Sequence, residues 1–219
     1  MRGSDAPRSG RLTRLAGLYA IVGGDDPVAQ AEAVLSGGAA VVQVRMKAAR
    51  PAEVLEVSRR IVAASAGRAL VLVDDRADLA VLAGADGVHV GEEDLPVAEA
   101  RKLVGPDRLV GWTARTVEEA RRGLAQGADH VGFGPVFASR TKSMGTPPHG
   151  IAGLADACRA LPVPVVAISG IGRENIAEVA RAGAAGAAVI EALFGAGDPR
   201  RKAMELARAF AAGRGERTA

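Results

Sequence analysis

The sequence predicts a single (β/α)8 TIM barrel, and three observations support this fold class. Eight short apolar runs are each followed by a helical stretch, at about 25 residues per unit. The dipeptide Gly-Ala precedes every second run, which suits a closed barrel whose inner layers come from alternate strands. The length of 219 residues fits one domain of this kind. An open doubly wound sheet is the alternative, although it gives no reason for this even spacing.

Strands and helices alternate along the whole predicted barrel. The apolar runs predict strands at 18–22, 41–45, 70–73, 87–90, 109–113, 130–133, 165–168 and 187–190. The stretches between them predict helices at 27–36, 51–64, 76–83, 96–103, 116–126, 150–160, 174–182 and 199–211. The first helix begins at Asp26 and Pro27, a capping residue followed by a proline in the first turn.

The Gly-Ala repeat marks the helix ends that precede four of the strands. Its glycines are Gly38, Gly84, Gly127 and Gly183, separated by 46, 43 and 56 residues. Each follows a predicted helix, where the chain needs a left-handed residue to turn toward the next strand. The repeat therefore marks the second, fourth, sixth and eighth strands.

The composition argues against several classes of protein. Aromatic residues make up 3% of the chain, which is poor material for stacking on the bases of single-stranded nucleic acid. No stretch of 18 uninterrupted apolar residues is present, so we expect no membrane span. Cys158 is the single cysteine and cannot form an internal disulfide, which fits a reducing compartment. We therefore expect a cytoplasmic protein.

The basic charge of the chain is concentrated at its beginning. Residues 1–14 contain four arginines and one aspartate, and their net charge of +3 equals that of the whole chain. We therefore expect no basic patch for nucleic acid on the folded part. The predicted organisation is a flexible basic tail at 1–14, the barrel at 15–212 and a flexible tail at 213–219.

Acidic residues follow the third and fourth predicted strands. Asp74 and Asp75 end the third strand, and Glu92, Glu93 and Asp94 follow the fourth. Neighbouring strands of a barrel end at the same mouth, so these carboxylates converge and need a positive partner. Mg²⁺ shared with a phosphate-bearing substrate would be such a partner. The alternative is that Asp75 and Asp94 cap the helices that follow.

Three polar side chains alternate with apolar ones at the end of the second strand. Gln43, Arg45 and Lys47 share one face because side chains alternate along a strand. That face points inward, since helices cover the outside of a barrel. Two cations in a barrel mouth favour a phosphate ligand. The alternative is an ion pair with acids of neighbouring strands. The two interpretations are compatible if a metal-bound diphosphate lies between the cations and the acids.

Other predicted strands also end in polar residues. His89 points inward between two valines, either as a hydrogen-bonded core residue or as a ligand. Thr113 offers a hydroxyl at the mouth after the fifth strand. Residues 169–172 follow the seventh strand, where barrels commonly bind phosphate through backbone N–H groups.

The longest connection, 134–150, has the composition of a lid. It contains two lysine or arginine residues and several hydroxyls but no acid. Such a loop suits closure over an anion, with an ordinary solvated loop as the alternative. The residues concerned are Ser139, Arg140, Thr141 and Lys142.

Together these motifs resemble the thiamine phosphate synthase family from about residue 18 to residue 199. They are Gln43-x-Arg45-x-Lys47, Asp74-Asp75, His89-x-Gly91-x-x-Asp94, Gly134-Pro135, Thr141-Lys142 and Ser169-Gly170-Ile171. The resemblance implies a transferase that joins hydroxymethylpyrimidine diphosphate to a thiazole phosphate or its carboxylate. The products would be thiamine phosphate and diphosphate, formed as Mg²⁺ assists diphosphate departure and the thiazole nitrogen attacks.

The resemblance also implies a role for each matching residue. One Mg²⁺ per subunit would be bound by Asp75 and Asp94. Catalysis would rest on Arg45, Lys47, Thr113 and Lys142. The pyrimidine diphosphate would contact Gln43, Arg45, Lys47, Asp74, His89, Thr113 and Lys142. The thiazole phosphate would contact Ser139, Arg140, Thr141, Gly170, Ile190 and Glu191.

Three positions depart from the family pattern, and three other functions remain as alternatives. Asp74 replaces a usual Asn, Arg115 a common His and Glu191 an expected Ser, which leaves the substrate preference open. The alternatives are a related thiazole tautomerase, a phosphosugar-type epimerase and a non-catalytic barrel that binds a thiamine precursor. The expected partners are small phosphorylated molecules, with no nucleic acid or membrane, and the sequence leaves open whether a homo-oligomer forms.

Overall fold

The computed structural model describes residues 7–138 and 146–215 as a closed barrel of eight parallel strands, arranged in sequence order. The strands β1 to β8 are Gly17–Val22, Val41–Val44, Leu70–Asp74, Gly87–Val90, Leu109–Ala114, His130–Phe133, Val165–Ala167 and Gly186–Val189. The helices α1 to α10 are Arg8–Thr13, Pro27–Ser36, Pro51–Ser65, Ala77–Ala83, Val97–Val104, Val117–Ala125, Gly150–Ala160, Ile176–Arg181, Glu191–Phe194 and Pro199–Gly215.

The predicted (β/α)8 barrel is confirmed. Each predicted strand is present, and no strand end differs from its predicted position by more than one residue. Every predicted helix is also present, although α10 runs to Gly215 instead of ending at 211. Two short helices, α1 and α9, were not predicted. Within the described ranges, no helix is both long enough and apolar enough to cross a membrane.

The Gly-Ala repeat ends helices, and at two of its four positions it precedes an aspartate that forms a hydrogen bond to the neighbouring strand. Gly84 and Gly127 have φ angles of 71° and 104°, in the left-handed region that favours glycine. An aspartate follows each of these two Gly-Ala pairs. Asp86 accepts a hydrogen bond from the backbone N–H of Val71 at 2.9 Å, and Asp129 accepts one from Val110 at 2.8 Å. These carboxylates therefore hold the amino-terminal ends of adjacent strands together.

The described part of the expected amino-terminal tail is ordered, contrary to the expectation for residues 1–14. Residues 8–13 form α1, and Arg11 is only 7% exposed. Its Nε donates to Asp86 at 3.0 Å and its guanidinium donates to the carbonyl of Asp107 at 2.9 Å. Leu15 is buried at the same end of the barrel. This basic residue is thus the partner of a barrel carboxylate, which composition could not reveal.

The expected tail at 213–219 also differs from the structure in its first three residues. They continue α10, and Gly213 is buried. A Cβ at this position would clash with the backbone of Ala177 in α8, so the glycine lets the two helices approach closely. Residues 1–6 and 216–219 lie outside the described ranges.

The strands place alternate side chains inside and outside the barrel, as period two requires. Val42, Val44 and other outward residues pack in the large core beneath the helices. Tyr19, Leu72 and their inward neighbours form a separate core inside the barrel. Gln43 faces inward as predicted and is 4% exposed.

Two histidines share the barrel interior. His130 is fully buried, and both of its ring nitrogens lack a hydrogen-bond partner among the described residues. Its ring centroid lies 5.6 Å from that of His89. A Cβ at Gly111 would clash with both rings, so this glycine makes room for the pair. Burial and the neighbouring His89 lower the pKa of His130 well below its ordinary value.

We expect Arg11→Met to lower the free energy of unfolding by about 3 kcal/mol, because it leaves the carboxylate of Asp86 buried without this guanidinium. Urea unfolding followed by circular dichroism measures the change. Arg60→Met, at an exposed position of α3, is the matched control and should cost less than about 0.5 kcal/mol. Equal losses in the two variants would contradict a stabilising role for Arg11.

We expect His130→Leu to reduce the loss of stability in acid. The unfolded chain binds a proton at this histidine near pH 6.5, whereas the folded chain does not. Stability present above that pH is therefore lost as the pH falls. Between pH 7 and pH 5, the wild type should lose about 2 kcal/mol more free energy of unfolding than the variant. Parallel pH profiles of unfolding would show that His130 does not resist protonation.

Candidate functional site

A cavity of about 840 Å³ opens at the carboxyl ends of the strands. This is the end at which barrel enzymes carry their active sites. Residues from all eight strands or from the loops that follow them line it. The polar residues from β1 to β5 that face it include Tyr19, Gln43, Arg45, Lys47, Asp74, Asp75, His89, Asp94, Thr113 and Arg115.

A chain of three buried polar side chains crosses the β1, β2 and β3 wall of the cavity. The hydroxyl of Tyr19 donates to Oε1 of Gln43 at 2.6 Å. Nε2 of Gln43 donates in turn to Oδ1 of Asp74. In each step the partner lies two residues beyond the position paired in the sheet, since Tyr19 pairs with Val41 and Gln43 with Leu72. The stagger of the barrel strands thus aligns the three groups.

Two cations adjoin the other oxygen of Asp74. Nε of Arg45 lies 3.3 Å from Oδ2, and Nζ of Lys47 lies 4.0 Å from it. Burial, followed by the charge of Asp75, raises the pKa of Asp74 to about 7, although both cations oppose the shift. The predicted alternative of an ion pair between these cations and neighbouring acids is therefore present in the structure.

Asp75 and Asp94 meet at the mouth beside Lys47. Asp75 has a φ of 61°, a left-handed conformation that Asp tolerates better than most residues. Its carboxylate lies 2.8 Å from Nζ of Lys47. Burial and hydrogen bonding to Asp94 raise the pKa of Asp75, and Lys47 opposes the shift. The two carboxylates are therefore close enough to disfavour each other's charge, and a shared cation would relieve this repulsion.

The alternative that Asp75 and Asp94 cap helices is wrong. Helix α4 is preceded by Arg76 at its N-cap position, and no side chain caps it. Helix α5 has Pro96 at that position, again without a side-chain cap. Asp94 instead accepts the backbone N–H of Gly91 at 2.8 Å within its own loop. Both carboxylates are thereby directed to the cavity.

The donor set at this mouth fits Mg²⁺. Two carboxylates supply hard oxygen ligands, and Mg²⁺ commonly takes one or two of these together with substrate phosphate oxygens and water. In the described part of the chain, no group of three or more histidine, cysteine or acidic side chains is placed to hold a metal ion alone. Asp75 and Asp94 could therefore hold Mg²⁺ as a partner of a phosphorylated ligand.

His89 faces inward as predicted, and its Nε2 lies 2.8 Å from the hydroxyl oxygen of Thr113. Burial lowers the pKa of His89 to about 4, so the ring is neutral at pH 7. A neutral ring can orient the Thr113 hydroxyl toward the cavity. His89 is therefore a hydrogen-bonded interior residue, the first of the two predicted possibilities, and it also lines the cavity.

Glu92 belongs to a different pair. Its carboxylate accepts from the guanidinium of Arg115, and the two side chains border the mouth between β4 and β5. The backbone N–H of Arg115 donates to Glu119 at 2.7 Å. Arg115, noted as a departure from the family pattern, is therefore anchored at both its backbone and its guanidinium.

The β7 and β8 side of the mouth combines left-handed backbone with acidic side chains. Ser169 and Gly170 have φ angles of 78° and 67°, and a Cβ at Gly170 would clash with the backbone of Ala138. The N–H of Gly172 donates to Asn175 at 2.9 Å and is thus not directed at a ligand. The cavity also touches Ile190 and Glu191, where α9 begins.

Four predicted site residues cannot be located. Ser139, Arg140, Thr141 and Lys142 lie outside the described residues. The structure brings together the other predicted residues around one cavity: Gln43, Arg45, Lys47, Asp74, Asp75, His89, Asp94, Thr113, Gly170, Ile190 and Glu191.

Tyr19 is the polar residue of the wall that sequence reasoning missed. It is the single tyrosine of the chain and lies in an otherwise apolar strand. Its inward direction follows from the alternation of side chains along β1. That signal, a lone hydroxyl on the inner face of a strand, could have identified it.

Comparisons with known proteins show the family of this chain. The sequence profile described as thiamine monophosphate synthase matches residues 18–193. The thiamine-phosphate synthase of Anaeromyxobacter dehalogenans is 64% identical over 211 residues, covering 96% of this chain and 95% of that protein. The thiamine-phosphate synthase of Myxococcus xanthus is 48% identical over 188 residues, covering 85% and 86%.

A solved structure extends the likeness to three dimensions. The thiamine phosphate pyrophosphorylase of Pyrococcus furiosus superimposes with a TM-score of 0.85 at 33% identity, covering 92% of this chain and 98% of that one. Profile, sequence and structure agree over nearly the whole barrel, and the chain belongs to the thiamine monophosphate synthase family.

Proposed function

We propose that this chain is a thiamine phosphate synthase, a transferase that joins hydroxymethylpyrimidine diphosphate to a thiazole phosphate. The observation that carries the proposal is the meeting of Asp75 and Asp94 beside Lys47 at the mouth of the cavity. In a metal-bound diphosphate, the metal ion would pair with the carboxylates and the diphosphate would pair with the adjacent cations. Family membership supplies the identity of the two organic substrates.

In this reaction the bond between the pyrimidine methylene carbon and the diphosphate oxygen breaks, and its electron pair leaves with diphosphate. The ring nitrogen of the thiazole forms the new bond to the same carbon. Mg²⁺, when held by Asp75 and Asp94, would neutralise charge on the diphosphate oxygens. No covalent intermediate with the protein is required.

The two cations that follow β2 have a defined role in this reaction. Arg45 and Lys47 form ion pairs with Asp74 and Asp75, so protein groups alone fix their positions. Preorganised cations stabilise an anion as it departs without reorganising during the reaction. We infer that they bind the diphosphate, while Thr113, positioned by His89, donates its hydroxyl to the same substrate. Lys142 joins them by family resemblance.

The thiazole phosphate would bind on the β7 and β8 side. Gly170, Ile190 and Glu191 border that side of the cavity. Since the Glu191 carboxylate would repel a phosphate, its backbone N–H is the expected contact. Ser139, Arg140 and Thr141 are assigned to this substrate by family resemblance alone.

We also propose a cytoplasmic location and Mg²⁺ as the cofactor. The substrates are small phosphorylated metabolites, and Cys158 is the chain's one cysteine, as expected for a reducing compartment. The two-carboxylate donor set supports Mg²⁺ over metals that prefer nitrogen or sulfur ligands.

The assay of function uses the full chain with both substrates and Mg²⁺. We expect equal amounts of diphosphate and thiamine phosphate, measured by a coupled diphosphate assay and by chromatography. Omitting the thiazole phosphate should remove thiamine phosphate. Isomerisation of the thiazole carboxylate phosphate without release of diphosphate would instead identify a tautomerase, and binding without any product would identify a non-catalytic barrel.

We expect Asp75→Asn and Asp94→Asn each to raise the Mg²⁺ concentration needed for half-maximal rate at least tenfold. Each change removes one anionic ligand, and Asn keeps the size of Asp and tolerates the left-handed backbone at position 75. Titrating Mg²⁺ against the rate of diphosphate release measures the effect.

Glu93→Gln is the matched control, because Glu93 is an exposed acid that lines the same mouth. Its metal requirement should change less than twofold. If all three variants behave alike, the effect reflects general negative charge and not ligation by Asp75 and Asp94.

A further inference from the structure

His89, Gly111 and His130 form one row across the inside of the barrel. His89 of β4 pairs with Gly111 of β5 in the register of the sheet, and Gly111 pairs in turn with His130 of β6. The ring centroids of the two histidines lie 5.6 Å apart. A Cβ at Gly111 would clash with Nδ1 of His89 and with Nε2 of His130. The glycine therefore lets these two ring nitrogens adjoin one another.

The two adjoining nitrogens constrain each other's protonation. Neither has a hydrogen-bond partner in the part of the chain that the structure describes. A neutral imidazole carries one N–H, which donates, and one unprotonated nitrogen, which accepts. Two N–H groups or two lone pairs directed at each other would repel, and a buried site screens this repulsion little. One proton is therefore favoured between the two nitrogens, on one ring or on the other.

The other nitrogen of His89 connects this pair to the cavity. Its Nε2 lies 2.8 Å from the hydroxyl oxygen of Thr113, which also lines the cavity. If Nε2 carries the proton, it donates to Thr113, and the Thr113 hydroxyl is free to donate to a ligand. If Nδ1 carries the proton, Nε2 accepts from Thr113, which then presents only lone pairs to the cavity. The tautomer of His89 thus decides whether Thr113 can donate to an anion.

His130 can favour the tautomer of His89 that makes Thr113 a donor. When Nε2 of His130 carries its proton, Nδ1 of His89 is the acceptor, and the proton of His89 lies on Nε2. The donors then point in one direction, from His130 through His89 to Thr113, and such a chain of polar groups polarises each member. Without His130, the lone pair on Nδ1 of His89 would be buried with no donor, so this tautomer would be favoured less.

We propose that His130 is a positioning residue that acts through His89 to make Thr113 a hydrogen-bond donor to the diphosphate of the substrate. The inference rests on the proposed function, since it takes a diphosphate to bind beside Thr113. Diphosphate oxygens accept hydrogen bonds, so they bind well to Thr113 in only one of the two tautomeric arrangements. Any effect of His130 on the reaction should therefore require the Thr113 hydroxyl.

A double-mutant cycle tests this requirement with His130→Leu, Thr113→Val and the variant that carries both changes, assayed at pH 8 with both substrates and Mg²⁺. We expect Thr113→Val to lower kcat/KM for the pyrimidine diphosphate at least tenfold, as for loss of a hydrogen bond to a charged group. His130→Leu should lower it about fivefold in the wild-type background but less than about twofold in the Thr113→Val background. Equal effects in the two backgrounds, including no effect in either, would overturn the proposal.

Nuclear magnetic resonance of isotope-labelled histidine measures the tautomers directly. The chain has three histidines, so the ring signals can be assigned by comparing the wild type with His130→Leu and His149→Leu. In the wild type with Mg²⁺ and the methylene-bridged diphosphonate of the pyrimidine, we expect Nε2 to carry the proton in both His89 and His130. A proton on Nδ1 of His89 in this complex would overturn the proposal, whatever the kinetics.

These outcomes differ from failure of the proposed function, in which the wild type forms no thiamine phosphate. Circular dichroism at pH 8 reports whether each variant is folded. For a variant that binds without turnover, calorimetry with the same diphosphonate measures the cycle. If a variant fails to fold, the tautomers of the wild type still decide the matter.

Discussion

The balance between converging carboxylates and nearby cations determines the arrangement of the cavity mouth. Asp74, Asp75 and Asp94 lie close together because β3 and β4 are neighbours, and like charges in a partly buried site raise one another's pKa. Arg45 and Lys47, which follow the adjacent β2, offset that repulsion. Protein groups alone therefore hold this cluster together. A divalent cation with its diphosphate would complete the same balance of charge.

The opposite end of the barrel uses similar chemistry for stability. There, Asp86 and Asp129 each accept a strand N–H and each pair with arginines, so that charge and hydrogen bonding join neighbouring strands. Helix α1 contributes Arg11 to this set. The acidic residues at the two ends of the barrel therefore have different surroundings. Asp86 and Asp129, before the strands, bind strand N–H groups and arginines, whereas Asp75 and Asp94, after the strands, line the cavity.

Sequence patterns predicted much of the site because they act locally. Period-two alternation correctly directed Gln43 and His89 inward. Local patterns could not choose between capping and ligation for Asp75, because that choice depends on where α4 begins and on a left-handed φ. Nor could they show that Glu92 pairs with Arg115, a contact between two loops. Arg11 was misjudged as part of a tail because its partner is 75 residues away.

The sequence by itself determined the barrel, the ends of its strands and the residue types that face its mouth. These depend on hydrophobic periodicity and on helix-ending glycines, which each segment carries within itself. Only the tertiary structure decided which donor meets which acceptor, as in the chain from Tyr19 through Gln43 to Asp74. Such pairings depend on the relative stagger of neighbouring strands. The residue pattern within a single strand contains no information about that stagger.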